Sequence, residues 1–175
     1  MDLRGVEMTQ KIHIPPDLPL NDQEGSIPKF AEIGLDQFAP YLMNRITNRW
    51  NASILKAARQ YGLTTRQMRT LAVLSDKDGR PINELATLTV TNQSTMSRAV
   101  VSMERKGFII RRPRSGDSRF IEVYLTDKGR GVFERFWPIF YWHFRHLFHG
   151  IGDSEFTDFV TTLHKILNNV RHQPF

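Results

Sequence analysis

Apolar residues recur at three- and four-residue spacing in six stretches of the chain, each bounded by capping or turn residues, which predicts a mainly helical protein. The first stretch begins at Leu35 and places Phe38, Leu42, Ile46, Trp50, Ile54, Ala57 or Ala58, and Tyr61 on one stripe ahead of Gly62. Pro40 falls in its first turns, where a missing N–H is tolerated. Thr64 caps a second helix with Met68, Leu71, Ala72 and Leu74 inward, closed by Asp78-Gly79. Pro81 opens a short third helix with Ile82, Leu85, Ala86 and Leu88, and residues 89–92 form a turn. In the fourth, Met96, Ala99, Val100 and Met103 face inward, Thr91 or Asn92 supplies the N-cap, and Gly107 sits where a left-handed C-terminal cap is wanted. The period then changes. Residues 108–112 and 120–125 are β-branched and aromatic runs around Pro113-Arg-Ser-Gly-Asp-Ser, a hairpin with a long basic tip.

Two more helices follow. Thr126-Asp127 starts one with Phe133, Phe136 or Trp137, Phe140, Phe144, and Leu147 or Phe148 on its stripe, bent by Pro138 with the kink near residues 133–137. Asp153 or Ser154 starts the last, carrying Phe156, Phe159 or Val160, Leu163, Ile166 or Leu167, and Val170. Residues 1–33 hold Pro15, Pro16, Pro19, Pro28 and Gly25, so regular structure is expected to be sparse there. That arm is either strapped down by its scattered apolar residues or disordered.

Two short helices joined by a tight turn read as a helix-turn-helix. On the exposed side of its second helix, Asn92, Gln93, Ser94, Thr95 and Ser97 present groups that hydrogen-bond phosphates or base edges, and Arg98 reaches a phosphate or guanine O6 and N7. The hairpin adds Arg111, Arg112, Arg114, Ser115, Asp117 and Arg119, a basic surface suited to phosphates and a narrow minor groove. The plain alternative is a helix and hairpin with a solvated basic face.

The run Asp117-Ser-Arg119-Phe-Ile-Glu-Val-Tyr-Leu125-Thr126, preceded by Met103-Glu-Arg-Lys-Gly-Phe, resembles the Asp-x-Arg, five residues, Leu-Thr signature of the MarR winged helix-turn-helix regulators. The ordered set Ser97-Arg98, Gly107, Asp117, Arg119 and Leu125-Thr126 is more specific than any pair within it, and the resemblance covers roughly residues 35–170. It implies a winged helix-turn-helix over 64–125, a wing whose aspartate and arginine shape or contact DNA, and dimerisation helices over 34–63 and 126–173, with 1–33 as the arm. It also implies a homodimer reading double-stranded DNA at an inverted repeat.

Composition narrows the picture further. Lys and Arg number 24 against 18 acidic residues, a net charge of +6 with a pI near 9.9, which favours a polyanionic partner. Either nucleic acid or an anionic membrane surface satisfies that charge, and a basic interaction protein is the alternative function. No apolar run approaches the ~20 residues of a bilayer span and the N-terminus lacks a signal segment, so a cytoplasmic protein without membrane partners is expected. Cysteine is absent, which removes disulfides and any thiol-oxidation switch. No phosphate-binding glycine loop, nucleophile elbow or His-Glu-x-x-His occurs, so neither catalysis nor a cofactor is expected.

His143, His146 and His149 fall three apart, but lack a cysteine or acidic triad to complete a metal site; a metal-responsive regulator is an alternative reading, and no metal ligand is assigned. Aromatic residues are more suggestive. Trp50, Phe133, Phe136, Trp137 and Phe140 concentrate on the two helices between which the MarR family holds its effectors, with Arg45 and Arg49 nearby. Planar phenolic or aromatic-carboxylate ligands want stacking walls and a cation, so these seven residues are the candidate effector site of a repressor.

Overall fold

The computed structural model describes residues 29–114 and 116–172. In order, its elements are α1 (Phe30–Ile33), α2 (Ala39–Arg59), α3 (Thr65–Asp76), β1 (Arg80–Pro81), α4 (Ile82–Leu88), α5 (Gln93–Arg105), β2 (Ile109–Arg114), β3 (Asp117–Leu125), α6 (Asp127–Leu147) and α7 (Asp153–His172). The chain is divided within α2 into two compact units, the first ending at Asn44 and the second beginning at Arg45.

Most of the expected arm lies outside the described residues. Its last part holds one helical turn, Phe30–Ile33. The Glu32 carboxylate accepts from Lys29 N–H at 3.1 Å, and Gly34 closes the turn at φ 69°. Within this first unit the rings of Phe30 and Phe38 meet edge to face at 5.5 Å.

The second unit contains the core. Ile54, Ala58, Leu71, Leu74, Leu85, Met96, Val100, Met103, Val123 and Phe136 are all essentially without exposed surface, and they come from α2, α3, α4, α5, β3 and α6. The predicted inward residues Ile54, Ala57 and Ala58 of α2, Met68, Leu71 and Leu74 of α3, Leu85 and Ala86 of α4, and Met96, Ala99, Val100 and Met103 of α5 are buried, whereas Ile46, Leu88, Leu147 and the α7 residues Phe159, Leu167 and Val170 of the predicted stripes stay exposed. On α6 the choice between Phe136 and Trp137 falls to Phe136, fully buried, while Trp137 stays 46% exposed. Pro138 lies inside α6, which continues as one element to Leu147.

Caps fix the joints. Thr64 accepts from Gln67 N–H at 3.2 Å while Gln67 Oε1 accepts from Thr64 N–H at 3.1 Å, a reciprocal capping box. Asn92, rather than Thr91, caps α5, its Oδ1 accepting from Thr95 N–H at 2.9 Å. Gly107 follows at φ 72°, the left-handed conformation expected of it. Thr126 caps α6 by accepting from Gly129 N–H at 3.0 Å.

The sheet differs from a simple hairpin in two ways. It has a third strand: Arg80 and Pro81 pair antiparallel with Val123 and Glu122, giving the order β1-β3-β2. The hairpin is also longer than its sequence suggests. Pairing runs from Ile109 opposite Leu125 out to Arg114 opposite Asp117, with a register irregularity between Pro113 and Arg114. The pairing thus takes in Pro113, Arg114 and Asp117 of the expected six-residue tip, and Gly116 beside Asp117 takes φ 85°, which glycine permits. Pro81 and Pro113 both lie in the flanking strands, the positions where a sheet tolerates proline.

Candidate nucleic-acid interface

The candidate recognition face lies on α5. Burial of Met96, Ala99, Val100 and Met103 leaves Gln93, Ser94, Arg98, Val101, Ser102 and Arg105 exposed, with Thr95 and Ser97 half-buried beside them. Local hydrogen bonds set the side chains. Ser94 Oγ donates to Asn92 Oδ1 at 3.0 Å, Ser97 Oγ to Gln93 carbonyl at 2.9 Å, and Arg98 Nη2 to Thr95 Oγ1 at 3.4 Å. Behind them, buried Thr70 donates to Arg66 carbonyl at 2.9 Å and contacts Met96 Sδ at 3.9 Å, which locks the inner face of α5 onto α3. The exposed face is an open surface of about 550 Å³ lined by Ser97, Arg98, Val101, Ser102, Arg105 and Lys106.

The wing's arginines are organised rather than merely numerous. Arg111 is gripped by Glu104 of α5: Nη2 and Nε donate to Oε2 at 2.6 and 3.0 Å, and Arg111 N–H donates to Oε1 at 3.3 Å. Arg114 Nε donates to Glu122 Oε1 at 2.6 Å, and its guanidinium lies 5.1 Å from the Phe120 ring centre. Arg119 forks onto Asp117, with Nη2 to Oδ2 at 2.9 Å and Nε to Oδ1 at 3.0 Å, yet its side chain remains 85% exposed. Arg112 lies 5.6 Å from the centre of the Tyr124 ring. Each guanidinium holds its carboxylate below the usual range: Arg111 acts on Glu104, Arg119 on Asp117, and Arg114 on Glu122.

Asn92, Gln93, Ser94, Thr95, Ser97 and Arg98 are thus gathered at one helix, and Arg112, Arg114, Asp117 and Arg119 along one hairpin. Ser115 lies outside the described residues. Glu104 and Glu122, not picked out from the sequence, hold the wing in shape. Their only advance signal is opposite charge, which does not specify a partner seven or eight residues away.

The aromatic members of the expected effector set share ring contacts, but the expected residues do not line one common groove. Trp50 meets Phe140 edge to face at 5.4 Å, Phe136 meets Phe140 at 5.9 Å, and Trp137 stacks on Phe140 at 5.7 Å. Phe136 has no exposed surface, so it is core, and Arg45 and Arg49 lie exposed on α2. Phe133 and Trp137 instead line a groove of about 480 Å³ between α3 and α6, completed by Ala72, Ser75, Asp76, Arg130 and Glu134. Ser75 Oγ is buried there with no hydrogen-bond partner among the described residues. Arg130 Nη2 reaches Asp78 Oδ2 at 3.4 Å, and Asp76 is paired with Arg80 at 2.9 Å. Ala72, Ser75, Asp76, Arg130 and Glu134 are not picked out from the sequence as site residues; the i, i+3, i+4, i+7 spacing of Arg130, Phe133, Glu134 and Trp137 is the signal that puts the α6 members on one face. Two of the three histidines contact one indole: His146 lies against Trp142 with ring centres 3.8 Å apart and planes tilted by 32°, and His143 meets the same ring edge to face.

Comparisons with known proteins agree with this architecture. The MarR family model matches residues 61–119. A transcriptional regulator of the MarR family from Silicibacter pomeroyi is 42% identical, with 85% of this chain and 100% of that one covered and a TM-score of 0.78. The HTH-type transcriptional repressor IacR of Pseudomonas putida is 23% identical over 83% of this chain and 84% of its own length. The fold is also shared with the transcriptional repressor CouR bound to a 23-mer DNA duplex, at 24% identity, a TM-score of 0.66, and coverage of 81% of this chain and 99% of CouR. By its helix-turn-helix and wing, and by its likeness along the whole Silicibacter protein, this chain belongs to the MarR family of DNA-binding transcriptional regulators.

Proposed function

We propose that the protein is a homodimeric repressor that binds an inverted-repeat operator and is released from it by a small aromatic compound. The observation that carries this reading is the joint placement of the α5 polar face and the wing arginines, coupled by the Glu104–Arg111 pair. Arg98, Gln93 and Ser94 read the major groove, and the wing, led by Arg112 and Arg119, takes the flanking backbone or minor groove. Residues 64–125 form the DNA-reading part. The names of IacR and CouR, both repressors, support the sign of regulation. Acting on DNA places the protein in the cytoplasm.

Dimerisation is supported by the apolar surface that α6 and α7 leave uncovered: Trp137, Tyr141, Trp142, Phe159, Leu167 and Val170 are each more than 40% exposed. Contiguous apolar surface of this kind marks an interaction site. A two-fold pairing of these helices with α2 puts two copies of α5 on successive half-sites.

The effector reading rests on the groove between α3 and α6. Its volume is in the ~300–1,000 Å³ range of small-molecule sites. Phe133 and Trp137 provide stacking walls, Ser75 Oγ an unmet hydrogen bond, and Arg130 a cation for a phenolate or carboxylate. Trp50 and Phe140, with Arg45 or Arg49 as the cation, are the second possible anchor, and Phe136 contributes by packing behind them. Footprinting on the DNA upstream of the protein's own coding region should show a protected inverted repeat with steep salt dependence. Calorimetry with benzoates and cinnamates should then find a binder that weakens operator binding, and is weakened by operator to the same degree. Replacing Arg130 should abolish binding if the α3–α6 groove is used, and replacing Arg45 or Arg49 if α2 supplies the anchor. Vesicle binding without a preferred duplex, or ligand binding indifferent to DNA, would overturn the proposal.

A further inference from the structure

The turn leading into α5 holds a residue that fits neither its conformation nor its surroundings. Val90 lies at φ 53°, the one non-glycine with positive φ among the described residues. A β-branched side chain is poorly suited to the left-handed region, because its γ carbons crowd the backbone. Among the described residues, six glycines take positive φ, at Gly34, Gly62, Gly79, Gly107, Gly116 and Gly150, so glycine is the usual answer to that geometry there.

The left-handed position is set by the cap that ends α4. Val90 N–H donates to Thr87 carbonyl at 3.1 Å, Thr91 N–H to Ala86 carbonyl at 2.9 Å, and buried Thr89 Oγ1 to Leu85 carbonyl at 2.7 Å. Packing does not explain the residue either, since Val90 is 87% exposed, more than any other large apolar side chain described. Glycine would remove the strain, and asparagine would tolerate the conformation and hydrate well. Strain held at an exposed position points to a contact made outside the chain. Val90 stands two residues ahead of the Asn92 cap, at the end of α5 that carries Gln93 and Ser94.

We propose that Val90 is a base-reading residue whose isopropyl group packs on the C5-methyl of a thymine in the half-site read by Gln93, Ser94 and Arg98. The proposal rests on the DNA-reading role assigned to α5. Thymine's methyl is the apolar group of the major-groove edge, and apolar side chains are what recognise it. A valine on a hydrogen-bonded turn brings two methyl groups to that edge with little freedom left to lose, whereas glycine at the same place reads nothing.

The test uses the full chain and the duplex it protects upstream of its own coding region. Each thymine is replaced in turn by uracil, which differs only in lacking the methyl, and affinity is measured at one ionic strength. One thymine per half-site should weaken the wild-type protein about three- to tenfold when replaced. The V90G and V90N variants should bind the natural duplex more weakly by the same factor and be indifferent to that uracil, with V90A between. Melting at or above the wild-type temperature establishes that V90G is folded. The proposal is overturned if no uracil affects the wild type, if the same uracil weakens V90G and V90N equally, or if those variants lose affinity with no coupling to a thymine. Failure of the wild type to protect any duplex removes the DNA-reading role of α5 itself, a different result from a wild type that binds and ignores every uracil.

Discussion

Gly129→Ala is a small change that should damage the fold severely. Gly129 is buried in the first turn of α6, and a β-carbon there would lie 1.9 Å from the Phe108 carbonyl oxygen and 2.8 Å from its carbon. Backbone does not yield as a flexible side chain does, so α6 and the segment entering β2 must part by about 1 Å. Two bonds hold Thr126 at the contact: its N–H donates to the Phe108 carbonyl at 3.1 Å and its Oγ1 to the Gly107 carbonyl at 2.6 Å. Overpacking costs about 1–3 kcal/mol, the two bonds about 1 kcal/mol each, and alanine's better helix propensity offsets about 1 kcal/mol. The net loss is roughly 2–4 kcal/mol, or about 10 °C in Tm for a chain of this size. Gly131→Ala is the matched control, since its added β-carbon meets only Arg135 Nη1, at 3.6 Å. Thermal and urea denaturation of both variants should show G129A strongly destabilised and G131A at or slightly above wild type. If G129A melts with the wild type, the close approach of α6 to residue 108 is wrong.

Arg98→Ala should weaken operator binding by ~1–3 kcal/mol, and Arg119→Ala should flatten the salt dependence by loosening the wing; unchanged affinity in both variants would contradict the interface. The protein should sediment as a dimer at low concentration, and a monomer with full operator affinity would rule out the α6–α7 pairing. The wing's carboxylates are lowered by their arginines, so the pairs contribute fully above the carboxylates' unfolded values and are lost as pH falls through the lower folded ones. Wing amide NMR signals should therefore stay constant from pH 7 down to the ordinary glutamate value of 4.5 and move only below it, less so in high salt. Titration of those signals nearer pH 6 would contradict the pairing, and Glu104→Gln should free Arg111 at every pH.

What could be read in advance was local. The stripe of α5, a cap at Thr91 or Asn92, the left-handed Gly107 and the aromatic and β-branched run of β3 all depend on residues a few positions apart, and the structure has them within a residue of where the sequence put them. The choice between Phe136 and Trp137 depends on rotation against α2 and α3, which a one-dimensional stripe leaves open by one residue. Strand β1 is two residues long and takes its conformation from pairing with β3, so Arg80-Pro81 carries no period to detect. The same holds for the α3–α6 groove: Phe133 and Trp137 were visible as aromatics, but Ser75 becomes notable only once its hydroxyl is seen buried without a partner. Gly129 looks like an ordinary helix residue until Phe108, twenty-one positions earlier, is placed against it.

The two prolines of the sheet bear on a hazard that has nothing to do with reading DNA. With β3 in the middle, β1 and β2 are both edges, and an open edge invites a strand from another molecule. Pro81 removes a donor from one edge and Pro113 from the other, while Arg111, Arg112 and Arg114 crowd the second with like charge. Neither side of the sheet can be extended into a continuous ladder. Copies of the protein at high local concentration are thereby kept from growing into aggregates through their own wings.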